Sequence, residues 1–211
     1  MNDKKIILPF DKYWIDCEFN AIFSVMTSID ESFYDFADIN AYSYKLRNDK
    51  TPCGTDVEFI KLDNAKYIQS EYVTGCISKT PITLKDSEDM LVTIIKLLTD
   101  YTLLVGVDLY NWIPRSICWQ KYHWGHFTLV QSYNKAEDTF SVLDESLTGY
   151  GEHRIPRERF IDAIQNSKQN EDGFILHYNT PSKYRLCFDD VLLNAQRLTT
   201  ELTQILNSKT I

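Results

Sequence analysis

The sequence predicts an α+β fold, with a helical N-terminal part followed by a mostly antiparallel sheet. Three patterns carry this reading. Phe19, Ile22, Phe23, Met26 and Ile29 recur at steps of three and four, the stripe of a helix packed on a core. Thr102–Val107, Phe127–Tyr133 and Thr139–Asp144 are short runs rich in β-branched and aromatic residues, as strands require. The polar stretch Asn134–Asp138 separates the last two runs by a hairpin-length linker, so they pair antiparallel. Helices first and sheet afterwards define the class.

The other elements follow the same logic. Residues 33–46 carry a helix-compatible pattern, and 48–55 reads as a loop. Val57–Leu62 and Tyr72–Ser78 have strand composition. Ser87 is an N-cap, with Glu88 and Asp89 in the first turn of an amphipathic helix through Met90, Ile94, Leu97 and Leu98. An aromatic-rich connector runs from Asp108 to Gly125. Pro156 opens a helix over 157–166, and Gly173 precedes a strand over 174–178. Val191, Ala195, Leu198, Leu202 and Ile205 form a seam on a C-terminal helix, 188–207, that closes the domain's own core or meets a partner, the former favoured because two heptads are short for a dimer.

Composition bounds the function. With 211 residues, 44% apolar and 13% aromatic, the chain has the mass for one well-packed domain spanning 1–211. A balance of 22 basic against 30 acidic side chains gives −8, which excludes non-specific nucleic-acid binding and anionic membrane surfaces as main partners. The most apolar window, Met90–Tyr110, is interrupted by Lys96, Asp100 and Asp108, so no transmembrane segment is expected. Cysteines at 17, 53, 76, 118 and 187 form no CxxC pair and are odd in number, which indicates neither a disulfide framework nor a zinc ribbon. Without a signal peptide, they point to the reducing cytoplasm.

Cys17 falls in the first turn of the first predicted helix, where unpaired N–H groups and the helix dipole favour a thiolate. His126 opens one strand and Asp144 ends the next. A five-residue turn over 134–138 sets Asp144 opposite Thr128 and leaves His126 diagonal to Asp144 on the same face, about 7–8 Å away by Cα and within side-chain reach. A turn one residue shorter puts the two on opposite faces. The order cysteine, histidine, aspartate is that of papain-like thiol enzymes. All four tryptophans cluster near these residues in sequence, Trp14 beside Cys17 and Trp112, Trp119 and Trp124 ahead of His126. With Tyr13, Tyr110 and Tyr122 they either wall an apolar cleft or pack a core. Cys118, His123 and His126 have ligand chemistry but lack a fourth partner at metal-site spacing, so no metal is expected. Arg154, Arg157 and Arg159 form a basic group that reads as a solvated helix face or as a docking patch for an acidic partner.

The runs Leu104-Val-Gly-Val-Asp-Leu-Tyr110, Asn111-Trp-Ile-Pro114, Tyr122-His-Trp-Gly-His126 and Val142-Leu-Asp144, with Cys17-Glu18 heading a helix, resemble the N-terminal domain family of butirosin biosynthesis protein H. That family is related to papain-like peptidases that trim bacteriocin leaders. The resemblance implies a papain-like fold and a cofactor-free acyltransferase of antibiotic biosynthesis. Such an enzyme moves an acyl group from the thioester of an acyl or peptidyl carrier protein to a small amine. It assigns Cys17 as nucleophile, His126 as base and Asp144 as its orienter. The residues' own clustering, apart from the resemblance, makes Trp14, Asp108, Tyr110, Trp112, Trp119 and Trp124 the candidate substrate-binding residues. Two positions depart from the pattern. Ile15-Asp16 replaces the usual Gly-His before the cysteine, and Asp11 stands where related peptidases carry an oxyanion-binding Gln. A peptidase, amidase or thioesterase, and an inactive module binding a carrier or a peptide, are the alternative readings.

Overall fold

A computed structural model describes residues 6–12, 14–40, 42–46, 57–61, 71–85, 89–178 and 184–208. The expected 48–55 loop, the Ser87 cap with Glu88, Tyr13 and Cys53 lie outside the described residues. In chain order the elements are α1 (Cys17–Ile29), α2 (Phe33–Asn40), β1 (Tyr42–Leu46), β2 (Val57–Lys61), α3 (Glu71–Cys76), β3 (Ile77–Ile82), α4 (Met90–Leu97), β4 (Thr102–Asp108), β5 (Gly125–Asn134), β6 (Thr139–Ser146), β7 (Gly149–Pro156), α5 (Arg157–Gln165), β8 (Gly173–Tyr178) and α6 (Phe188–Ser208).

The chain, read from sequence as one domain, separates into two compact units. One comprises residues 1–29 and 76–180, the other 30–75 and 181–211. In the larger unit six strands form one sheet in the order β3-β8-β4-β5-β6-β7, and each described pair is antiparallel. The class is therefore α+β. β4 lies inside the sheet and is buried along its whole length, which explains its nearly unbroken apolar run. Leu103, Val105 and Val107 turn to a core shared with Val130, Phe140 and Val142, with Met90 and Ile94 of α4, and with Phe160, Ala163 and Ile164 of α5. α1 packs on β5 and β6. Gly173 is obligatory where β8 meets β4, because a Cβ there would stand 2.7 Å from the Leu104 carbonyl oxygen.

In the smaller unit β1 and β2 make an antiparallel pair, and α6 packs on β1 and α2. Phe36 of α2 meets Tyr184 edge-to-face with ring centroids 5.2 Å apart. Of the seam expected on the last helix, Ile205 is buried and Leu198 half-buried, whereas Val191 and Leu202 are exposed.

Three segments differ from the sequence-based expectation. The helix over 33–46 stops at Asn40, and Tyr42–Leu46 pairs with Val57–Lys61 instead, so strand pairing wins over a segment of weak helix formers. The strand expected over 72–78 is a helix through Cys76 followed by a strand from Ile77. Its apolar residues Val73 and Cys76 are both buried at a step of three, a helical spacing concealed in a β-branched composition. β7 was not anticipated, because an edge strand with Gly149, Gly151, Glu152 and Arg154 lacks an apolar run.

The β5–β6 hairpin sets the site. Its strands leave only residues 135–138 as the turn, one residue shorter than the sequence reading assumed. Near the turn Asn134 pairs with Thr139 and Tyr133 with Phe140. A bulge between Val130 and Ser132 then shifts the ladder, so that Val130 meets Val142 and Leu129 meets Leu143. Continued by one rung, this register sets Thr128 opposite Asp144. The extra residue Gln131 thus restores the register that the short turn would have lost. Its side-chain oxygen accepts the Ile7 N–H at 3.1 Å, tying the N-terminal arm to the bulge.

Candidate active site

Asp16 caps α1. Its Oδ1 accepts the Phe19 N–H at 2.7 Å and its carbonyl accepts the Asn20 N–H at 2.9 Å, which makes Cys17 the first residue of the helix. The Cys17 N–H is therefore among the first-turn groups that helix geometry leaves without an intrahelical acceptor. Two buried polar side chains one and two turns on hold the preceding arm in place. Asn20 accepts from Ile15 N at 3.0 Å and donates to the Phe10 carbonyl at 3.2 Å. Ser24 accepts from Phe10 N at 2.8 Å.

His126 and Asp144 are both buried, with Nε2 and Oδ1 2.6 Å apart. The same oxygen accepts the Glu145 N–H at 2.6 Å, and Oδ2 accepts the Trp112 indole N–H at 2.7 Å. Burial works against the Asp144 charge, but His126, the indole and the Glu145 amide together hold its carboxyl below the ordinary carboxylate range. An ionised carboxylate only accepts, so Nε2 carries hydrogen. Cys17 lies within electrostatic reach of the same ring and favours its charged form. With Nε2 committed to Asp144, Nδ1 is the nitrogen left to meet a thiol. Burial disfavours the imidazolium, yet the Asp144 charge, its hydrogen bond and the Cys17 sulfur outweigh it and raise the pKa well above the ordinary imidazole value. Trp14 lies nearly parallel to the His126 ring at 6.4 Å and contacts Tyr150 at 5.7 Å, covering the pair from one side.

The remaining expected residues take varied positions. Trp14 is 37% exposed and Trp124 is largely exposed. Trp112 is fully buried beside Phe160, so it has no surface to offer a cleft, and its N–H braces Asp144. Trp119 is half-buried beneath the Arg159 guanidinium, 5.1 Å from its ring. Asp108 and Tyr110 both engage His123, not His126. The three arginines are each occupied: Arg154 pairs with Glu137 at 2.8 Å, Arg157 with Asp138 at 3.4 Å, and Arg159 with Trp119. Asp11 is exposed on the arm. Of the residues sequence reasoning passed over, Asp16 was findable as an acid immediately before a helical stripe. Asn20 and Ser24 carried no signal, being ordinary polar positions within the helix.

No family model matches the chain, and no curated protein matches it. Among the described residues no helix is long and apolar enough to cross a membrane.

Proposed function

We propose that this protein is a cysteine-dependent acyltransferase of papain-like type, which takes an acyl group from a thioester and passes it to an amine through an acyl-Cys17 intermediate. The observation that carries the reading is one buried imidazole bonded to the triply bonded Asp144 and within electrostatic reach of Cys17 at the head of α1. With the thiol proton on His126, Cys17 Sγ attacks the thioester carbonyl. The tetrahedral oxyanion takes the Cys17 N–H and the positive end of α1. Collapse breaks the donor C–S bond, and His126 protonates the departing thiolate. The neutral ring then removes a proton from the amine as it attacks acyl-Cys17, and the Cys17 thiolate leaves, restoring the starting state. Asp144 fixes the ring's orientation and stabilises the imidazolium throughout. The resemblance noted above supports a carrier-protein thioester as donor and a natural-product amine as acceptor.

Intact-mass measurement after incubation with a panel of acyl thioesters tests the proposal. The expected result is a single acyl increment that is lost on adding an amine and absent from Cys17→Ala. An increment that persists in Cys17→Ala, or none with any donor, rejects it. Loss of the increment in plain buffer as fast as with amine makes the protein a thioesterase.

A further inference from the structure

A second histidine–aspartate pair is anchored on the neighbouring rung of the β4–β5 ladder. His123 Nδ1 and Asp108 Oδ2 are 2.6 Å apart, and Asp108 is 3% exposed. Asp108 Oδ1 accepts the Trp124 N–H at 3.0 Å and the Tyr110 N–H at 3.3 Å, so the carboxylate is fixed in place. A carboxylate only accepts, which places the hydrogen on Nδ1 and the lone pair of the neutral ring on Nε2. The Tyr110 ring stacks on the imidazole at 4.3 Å and 9°. The His123 side chain is nevertheless 52% exposed. This is an oriented imidazole that presents a basic nitrogen to solvent. Its location is equally defined: Asp108 pairs with Gly125 on the rung next to the one joining Val107 and His126. Three residues of chain keep the two histidines' backbones within about 11 Å.

The chemistry proposed above leaves one proton unassigned. An alkylamine is an ammonium ion at neutral pH and has no lone pair to attack with. Its conversion to an amide releases two protons. His126 retains one, which regenerates the imidazolium facing the Cys17 thiolate, and it has no capacity for the other. Resting on that reading, we infer that His123 is the acceptor-side base: Nε2 takes the first proton from the incoming ammonium and delivers the free amine to acyl-Cys17. The N–H bond of the ammonium breaks and an N–H bond forms at Nε2. The amine nitrogen then bonds to the acyl carbon, its second proton goes to His126, and the C–S bond to Cys17 breaks. The proton on His123 leaves to solvent through its exposed face. Asp108 acts as a positioning residue, holding the tautomer that leaves Nε2 free.

The test uses the whole protein with S-acetyl-N-acetylcysteamine as donor and two acceptors, ethylamine, which is protonated at neutral pH, and hydroxylamine, which is already neutral. The readout is the ratio of acetyl-Cys17 decay rates with the two acceptors, so a general loss of fold or of acylation cancels. His123→Gln is expected to lower the ethylamine-to-hydroxylamine ratio by about 10²-fold. Asp108→Asn, which can invert the tautomer, is expected to lower it by a smaller factor. An unchanged ratio in His123→Gln overturns the inference and leaves His123 as a strut at the neck of the aromatic connector. If the wild-type protein acylates Cys17 and uses amines but the ratio does not move, only this inference fails. If the wild type forms no acyl-Cys17 with this donor or with any of the thioester panel, the acyltransferase reading fails and this one falls with it.

Discussion

The two histidine–aspartate pairs have the same 2.6 Å bond and opposite surroundings. At His126 the ring is buried, Asp144 takes two further N–H donors, and Cys17 lies within electrostatic reach of the ring. At His123 the carboxylate is just as buried, but the ring lies half in water with an aromatic plane behind it. What an imidazole–carboxylate pair can do is thus set less by the pair than by what the second nitrogen faces. A thiol near the free nitrogen suits the pair to nucleophilic attack, and an exposed ring suits it to exchange protons with solvent.

The largest expected effect breaks the buried pair. His126→Gln should lower Cys17 acylation by about 10³- to 10⁴-fold with the fold retained, and Asp144→Asn should lower it less. The double variant should lose little beyond His126→Gln, since the two act as a unit. Multiplicative losses in acylation kinetics would mean that the ring and the carboxylate work separately. The same loss on changing His123 in the acylation step would reverse the assignment of roles.

A second prediction concerns the register that makes the buried pair. Deleting Gln131 turns Val130↔Val142 and Ser132↔Ser141 into consecutive rungs, so His126 and Asp144 keep their relation. Acylation should then stay within about tenfold, at a stability cost of about 1 kcal/mol for the lost Ile7 hydrogen bond. Inserting one alanine after Val130 instead puts the site half of β5 out of step with β6 and should lower acylation by more than about 10²-fold. Equal rates for the two variants would show that the bulge does not position the pair.

Trp112→Phe sharpens the contrast further, because it removes the N–H on Asp144 while conserving most of the ring. A hydrogen bond to a charged group gives an expected loss of about 1.5–3 kcal/mol in chemical denaturation, and the acid unfolding midpoint should move up in pH. The direction follows from Asp144. Its folded pKa is depressed, so its contribution is present above the ordinary carboxylate value and is lost as pH falls through the folded one. An unchanged acid midpoint would remove the indole from the account of Asp144.

The smallest of these effects is a slope on the alkaline side. His126 in the folded protein holds its proton well above the ordinary value of 6.5. Its contribution to stability is complete below that value and is lost as pH rises through the folded pKa. Between the two, unfolding free energy should fall by up to about 1.4 kcal/mol per pH unit in the wild type, and this slope should be missing from His126→Gln. Parallel pH profiles would contradict a raised His126 pKa.

Much of this site was legible in the chain because it lies on long, regular elements. The α1 stripe placed Cys17 in a first turn, and two alternating strands put His126 and Asp144 near matching ends. The register itself was not legible. The turn is shorter than the composition of 134–138 suggested, and a bulge at an ordinary Gln compensates for it, a cancellation that no local pattern records. Trp112 was read with the other tryptophans by proximity in sequence, whereas burial separates it from Trp14 and Trp124. The pairing of His123 with Asp108 was hidden for a similar reason. The connector between them folds back so that Leu109 N–H reaches the Trp124 carbonyl, a closure set by tertiary contacts and not by periodicity.

The central claim is that His126 activates Cys17, and alkylation kinetics test it most directly. Iodoacetamide labelling at neutral pH, mapped by peptide, compares Cys17, which is half-buried, with Cys187, which is exposed. Activation predicts that Cys17 reacts at least about tenfold faster than Cys187 despite its lower exposure, and that His126→Gln removes the difference. Cys17 labelling no faster than Cys187, or at the same rate in His126→Gln as in the wild type, would contradict it.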